Sequence, residues 1–205
     1  MAMWNPWRGC HKYSEGCQFC YIHRGDQKRG VDTGRIVRLP GFDAPVAKTA
    51  SGAYKMKPDQ TVYLCFSTDF LIEEADGWRP DCWRMMRERP DLHFLFLTKR
   101  IHRLAQCLPP DWGDGWDNVT VCCTVENQRR ADERLPLFSA LALKHRQIIC
   151  QPMIGPIDLS PYLKGVEGVV AGGESGPEAR PLDYAWVLAL RGQCLAQGVR
   201  FTFRQ

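Results

Sequence analysis

Cys10, Cys17 and Cys20 lie in the segment Trp4-Asn5-Pro6-Trp7-Arg8-Gly9-Cys10-His11-Lys12-Tyr13-Ser14-Glu15-Gly16-Cys17-Gln18-Phe19-Cys20-Tyr21, with the spacing C-x6-C-x2-C. Two cysteines with two residues between them aim both thiolates at one metal centre from a single tight turn. The third closes the loop around that centre. Three thiolates without an evident fourth predict a [4Fe–4S] cluster with one iron open. An open position on a metal centre is where substrate or cofactor binds. Zinc is the competing reading. His11 supplies a Cys3His donor set but adjoins Cys10, and His23, three residues after Cys20, is the better-spaced candidate.

The N-terminus has no basic start followed by an apolar stretch, which predicts a cytoplasmic chain. In a reducing compartment ten cysteines are not a disulfide framework, and clustered ones serve metal or catalysis. The other seven carry no ligand spacing and read as small hydrophobes: Cys65, Cys122, Cys123 and Cys150 in apolar runs, and Cys82, Cys107 and Cys194 in helical stretches. No apolar run is long enough to cross a bilayer, so no membrane partner is expected. The net charge is +4, and residues 1–60 hold ten Lys/Arg against five Asp/Glu. That excess beside the cysteines points to an anionic substrate, nucleic acid or a nucleotide, or else to an ordinary solvated surface.

Positioning such a site requires a frame. Short apolar runs recur, and each ends in small polar residues: Val62–Phe66, Phe94–Leu97, Val119–Cys123, Ile148–Cys150, Val169–Ala171 and Val199–Phe203. Runs of this kind suit strands buried on both faces of a parallel sheet. The stretches between them read as helices. One follows Pro80, and one carries Ile101, Leu104, Ala105 and Leu108. One covers 128–143 and is expected to kink or divide at Pro136, and one is capped by Asp183 and buries Trp186, Val187, Leu190 and Leu195. With a short first strand near Met3–Trp7, the expectation is an α/β fold: an incomplete TIM-type barrel of six or seven parallel strands. It forms one domain over 1–205, with its site at the C-terminal strand ends. Residues 24–60, rich in Gly and Pro, are expected as a loop or lid.

The strand ends supply the remaining candidates. Lys99 and Arg100 suit a carboxylate or phosphate. Glu126 and Asn127 suit a ribose or a substrate, or cap the next helix. Gly172 and Gly173 let a ligand approach the backbone, and Glu174 accepts from an ammonium or hydroxyls, with Ser175 beside it. Ser67 and Asp69 line the strand ends or cap a helix, Gln151 and Arg204 end later strands, and Phe19 packs on a cofactor or in the core. Tyr13, Tyr21, Trp4 and Trp7 shield the metal centre or pack in the core.

Cys17-Gln18-Phe19-Cys20 resembles the end of the radical S-adenosylmethionine (radical SAM) cluster motif. The whole chain resembles a phage- and bacteria-associated family of three-cysteine-motif, radical-SAM-like proteins of unknown function. The likeness is carried by Trp4-Asn5-Pro6-Trp7-Arg8-Gly9-Cys10, Gly16-Cys17-Gln18-Phe19-Cys20-Tyr21, Leu97-Thr98-Lys99-Arg100, Thr124-Val125-Glu126-Asn127-Gln128, Gly155-Pro156-Ile157-Asp158-Leu159 and Gly172-Gly173-Glu174-Ser175-Gly176. The resemblance implies that three cysteines ligate three irons and SAM chelates the fourth. It also implies that an unidentified reductant drives cleavage of SAM to methionine and a 5′-deoxyadenosyl radical, and that the Gly-Gly-Glu group holds SAM's amino end. Six residues between the first two cysteines, where most radical SAM enzymes have three, favour instead a cluster used for electron transfer or sensing without SAM. A zinc-stabilised nucleic-acid-binding protein is the third reading.

Overall fold

The apolar runs pair side by side in the order in which they occur. The computed structural model describes residues 1–204. Its strands are β1 (Ala2–Trp4), β2 (Trp7–Arg8), β3 (Val37–Arg38), β4 (Gln60–Leu64), β5 (Leu92–Thr98), β6 (Val119–Thr124), β7 (His145–Cys150), β8 (Gly168–Ala171) and β9 (Arg200–Phe203). Seven of them form one sheet in the order β1-β4-β5-β6-β7-β8-β9, and every neighbouring pair is parallel. The sheet is open, with β1 and β9 at its edges. The helices between strands are α1 (Tyr21–Lys28), α2 (Arg79–Glu88), α3 (Leu104–Cys107), α4 (Gln128–Ala140) and α5 (Tyr184–Ala196). None is long and apolar enough to cross a membrane.

Side-chain alternation on β5 shows how the sheet is loaded. Phe94 and Phe96 are buried, whereas His93, Leu95 and Leu97 between them are half-buried. The buried face lies under α2, whose Trp83 is the centre of an aromatic cluster. Its ring is 5.1 Å from Phe70, 5.4 Å from Trp112 and 6.2 Å from Phe96. Such pairs add geometry-specific attraction to a large burial of apolar area.

Several boundaries differ from expectation for identifiable reasons. β4 stops at Leu64 because Cys65 adopts φ +58, a left-handed turn that ends the extended run two residues early. The first strand stops at Trp4, and Trp7–Arg8 turns away to pair antiparallel with Val37–Arg38. Pro136 sits inside α4 without dividing it: the helix runs unbroken from Gln128 to Ala140. Leu195 is exposed, and Cys194 takes the buried place on α5. Much of the segment 24–60 is fastened down by buried hydrogen bonds, while Arg24 at its start reaches the Ser175 carbonyl at the β8 end. Trp4 Nε1 donates to the Phe42 carbonyl at 3.0 Å, and fully buried Arg89 donates to the carbonyls of Pro45 and Met56 while pairing with Asp91 at 2.7 Å.

Neighbouring residues on β5 should therefore differ in cost. Phe96→Ala is expected to lose about 3–5 kcal/mol of unfolding free energy, as for a buried aromatic. Leu95→Ala, on the half-open face, should lose well under about 2 kcal/mol. Urea denaturation of the two variants checks this asymmetry.

Candidate functional site

Each strand of the sheet delivers its last residues to the same end, where the cysteine loop lies across them. The turn at Cys65 brings Ser67 and Asp69 there, β5 ends in Lys99 and Arg100, β7 in Gln151, and β8 in Gly173 and Glu174. Together with the loop they enclose a cavity of about 410 Å³. All three motif cysteines line it, as do Phe19, Ser67, Lys99, Gly173, Glu174 and Ser175 among the expected cofactor contacts. Asp69, Arg100, Gln151, Arg204 and Tyr21 line it too. Gly172, Glu126 and Asn127 do not. A Cβ at Gly172 would lie 2.2 Å from the Arg204 carbonyl oxygen, so this glycine is required by the close approach of the chain after β9.

Glu126 and Asn127 lie under the cysteine loop and hold it. The Glu126 side chain is completely buried at the end of β6. Its carboxylate pairs with Arg134 at 2.9 Å and with Lys99 at 3.4 Å, and it accepts a 2.5 Å hydrogen bond from Ser14 Oγ. The loop backbone rests on the same side chain, since a Cβ at Gly16 would meet the Glu126 Cγ at 2.4 Å. Asn127 caps α4 by accepting from Arg130 N at 3.0 Å, and its amide donates to Glu15 Oε1 at 2.8 Å. Arg130, one turn into α4, closes a fork on Glu15 Oε2 at 3.0 and 2.7 Å. These hydrogen bonds hold the Glu15 carboxyl down to about 2. Tyr13 is fixed between the guanidinium groups of Arg100 and Arg134, 4.9 and 5.5 Å from its ring centroid, and stacks on His102.

Asp69 anchors the loop from the other side. It accepts from Thr98 Oγ1 at 2.8 Å and pairs with Arg100 at 3.1 Å, while Arg100 also donates to the His11 carbonyl at 2.9 Å. Thr68 donates to the Gly9 carbonyl. Gly9 has φ +97, and a Cβ there would lie 2.4 Å from the Arg35 carbonyl oxygen, so the approach to Cys10 requires glycine.

The three thiols are free, and the other seven cysteines are buried and also free. Burial, the Asp69 carboxylate and the neighbouring Cys17 and Cys20 together push the Cys10 thiol up to about 12 against the opposing Arg100. All three thiols line the same cavity. No group of three or more His, Cys, Asp or Glu side chains among the described residues is arranged to hold a metal ion as it stands. By donor type and shared cavity the three cysteines suit a thiolate-bound cluster, and ligating one would require their deprotonation and a move away from the arrangement described. The histidines do not join them. His11 turns away to Glu74 at 2.5 Å, and neither His11 nor His23 lines the cavity.

At the β8 end, Glu174 is fully engaged by Arg180. The backbone N–H and Nε of Arg180 both donate to Oε2 at 2.9 Å, and Nη2 pairs with Oε1. These bonds lower the Glu174 pKa. Arg180 also donates to the Glu15 carbonyl at 2.9 Å and lies over the Phe19 ring, so it links the Gly-Gly-Glu turn to the cysteine loop. Arg24 of α1 adds a 2.7 Å bond to the Ser175 carbonyl. Sequence reading missed Arg130, Arg134 and Arg180. The first two had a signal: four residues apart on a helix beginning at the expected cap Asn127, they share one face. Arg180 stands in an irregular Pro-containing stretch and had none.

Glu126→Gln should strand the buried Arg134 and the half-buried Lys99. It is expected to cost about 3 kcal/mol in urea denaturation and to speed amide exchange across residues 14–20. Arg130→Gln, on the more open Glu15 tie, should cost about 1 kcal/mol or less.

No curated protein and no solved structure matches the chain. A family model matches residues 1–205, and its description assigns no activity. The chain belongs to the family described as Protein of unknown function (DUF5131).

Proposed function

We propose that the protein is a [4Fe–4S] enzyme of the radical SAM type, built on an incomplete barrel and acting in the cytoplasm. The observation that carries this reading is the sharing of one strand-end cavity by three free thiols and by residues suited to a polar cofactor. The barrel reading draws on seven parallel strands in sequential order and on a cavity at their C-terminal ends. Cys10, Cys17 and Cys20 would hold the cluster, leaving one iron without a protein ligand. Bound there, cluster and SAM supply one-electron reductive cleavage and hydrogen abstraction from the substrate.

The chain's own groups then have definite tasks. Lys99 faces the cavity with a cation already balanced by Glu126, so it can accept a ligand carboxylate without leaving Glu126 unpaired, because Arg134 remains. Phe19 and Tyr21 present rings to the cavity, and the Tyr21 hydroxyl is held by the Phe66 carbonyl at 3.1 Å. Glu174 can receive a ligand ammonium only by giving up part of its fork with Arg180. That engagement favours the second reading, a cluster used for electron transfer or sensing without SAM. The external reductant belongs to both readings.

Anaerobic reconstitution decides among them. The expected result is about four irons and four sulfides per chain, lost in Cys10→Ser, Cys17→Ser and Cys20→Ser. Dithionite and SAM should then yield 5′-deoxyadenosine, and Arg180→Gln should raise SAM affinity by releasing Glu174. A reducible cluster that yields no 5′-deoxyadenosine moves the assignment to the second reading. Stoichiometric zinc in colourless protein defeats both.

A further inference from the structure

The cysteine cavity does not end at the strand tips. It shares Phe66, Leu97, Ile149, Gln151 and Arg204 with a second hollow of about 570 Å³ that runs along the half-open face of the sheet. Parallel sheets are ordinarily covered on both faces. Here one face carries helices, and the other lines a hollow whose two walls differ in kind.

The wall on β9 is cationic. Arg200 and Arg204 are four residues apart, about 13 Å in extended chain. Neither guanidinium has an ion pair or side-chain hydrogen bond among the described residues, whereas Arg100, Arg130, Arg134 and Arg180 around the cysteines are all paired with carboxylates. Arg200 lies over Gly168, where a Cβ would sit 3.5 Å from its Nε, so the missing side chain leaves the guanidinium room. The one carboxylate of the hollow, Glu167, is taken up by His145 at 2.7 Å. The wall on β4, five strands away, is aromatic: Tyr63 and Phe66 sit edge to face with centroids 4.9 Å apart. The floor between them is mixed, with Leu95, Leu97, Ile149 and Val170 set among His93, Thr120, Gln147 and Gln151.

A cationic wall that tracks a backbone, facing aromatic rings on which bases stack, is the pattern that binds a single strand of nucleic acid. We propose that the hollow takes single-stranded nucleic acid, with phosphates along Arg200 and Arg204 and bases toward Tyr63 and Phe66. Arg204, which lines both spaces, would hand one unpaired nucleotide to the cysteine cavity. The proposal rests on the reading that this cavity is where substrate reacts. It names the substrate class, and chemistry on a base needs that base out of a duplex.

The test is fluorescence anisotropy of the full chain with a fluorescein-labelled oligothymidylate, titrated at several salt concentrations. Saturable, salt-sensitive binding is expected. Arg200→Gln should weaken it about tenfold and reduce the log–log salt slope by about 0.7, the share of one phosphate contact. Tyr63→Ala should weaken it at least about fivefold through lost stacking. Arg191→Gln, an exposed charge on α5, should change neither. The proposal is overturned if no binding occurs below about 10⁻⁴ M, the weak limit of non-specific association. It is equally overturned if Arg200→Gln behaves as the parent, or if thymidine monophosphate or a duplex of equal length competes as well as the single strand. This readout needs no cluster. A failed reconstitution would sink the reading of the cysteines and leave the groove standing, and unchanged binding by Arg200→Gln would do the reverse.

Discussion

The Glu126 carboxylate, buried at the end of a central strand, is the constraint on which the candidate site depends. A charge in that position is tolerable only while it stays paired, because removing either partner leaves the other ion desolvated. Arg134 from α4 and Lys99 from β5 supply the pairing, and Ser14 supplies the hydrogen bond that ties the cysteine loop to it. The loop therefore has no regular structure of its own between Gly9 and Glu15 yet has a fixed seat. Gly16 lets its backbone touch the Glu126 side chain, while Arg130, Asn127 and Arg180 hold Glu15 from three directions. Strand ends that would otherwise serve a ligand are spent on this clamp.

The clamp also explains the electrostatics of the cavity. Its cations are numerous, but those nearest the cysteines are neutralised in pairs: Arg100 by Asp69, Arg134 by Glu126 and Arg180 by Glu174. Nearly balanced surroundings would suit the proposed charged cluster and zwitterionic cofactor, whose uptake would then change the field little. Arg204, which also lines the cavity, and Arg200 on β9 have no carboxylate partner among the described residues, and the helix-free face is open beside them.

Much of this was legible in the sequence because parallel strands are nearly continuous apolar runs. Phe94–Leu97 and Val119–Cys123 stood out and lie within β5 and β6, and their polar tails marked the strand ends. The three cysteines declared themselves by spacing, and Gly173, Glu174 and Ser175 by following an apolar strand. Boundaries were lost where a single residue overrode the pattern, as when Cys65 took a left-handed turn or Pro136 was accommodated within α4. For Glu126 and Asn127 the sequence left a ligand contact and a helix cap both open; Asn127 caps α4 and Glu126 supports the cysteine loop, and the local sequence of a strand end does not separate such uses. Only tertiary contacts distinguish them. Arg130 and Arg134 could be placed on one helix face, but the pairing of Arg130 with Glu15, more than a hundred residues away in the chain, could not be read. The helix-free face was equally hidden, because alternation on β5 shows two unlike faces but not which one is covered.

The central claim is that Cys10, Cys17 and Cys20 hold a cluster with one iron open to a cofactor. Electron paramagnetic resonance of the reconstituted, reduced protein, recorded with and without SAM, tests it most directly. The account predicts a [4Fe–4S]⁺ signal whose g-values shift when SAM is added. A signal of that type unchanged by saturating SAM would contradict the open iron, and the absence of any cluster signal would contradict the claim altogether.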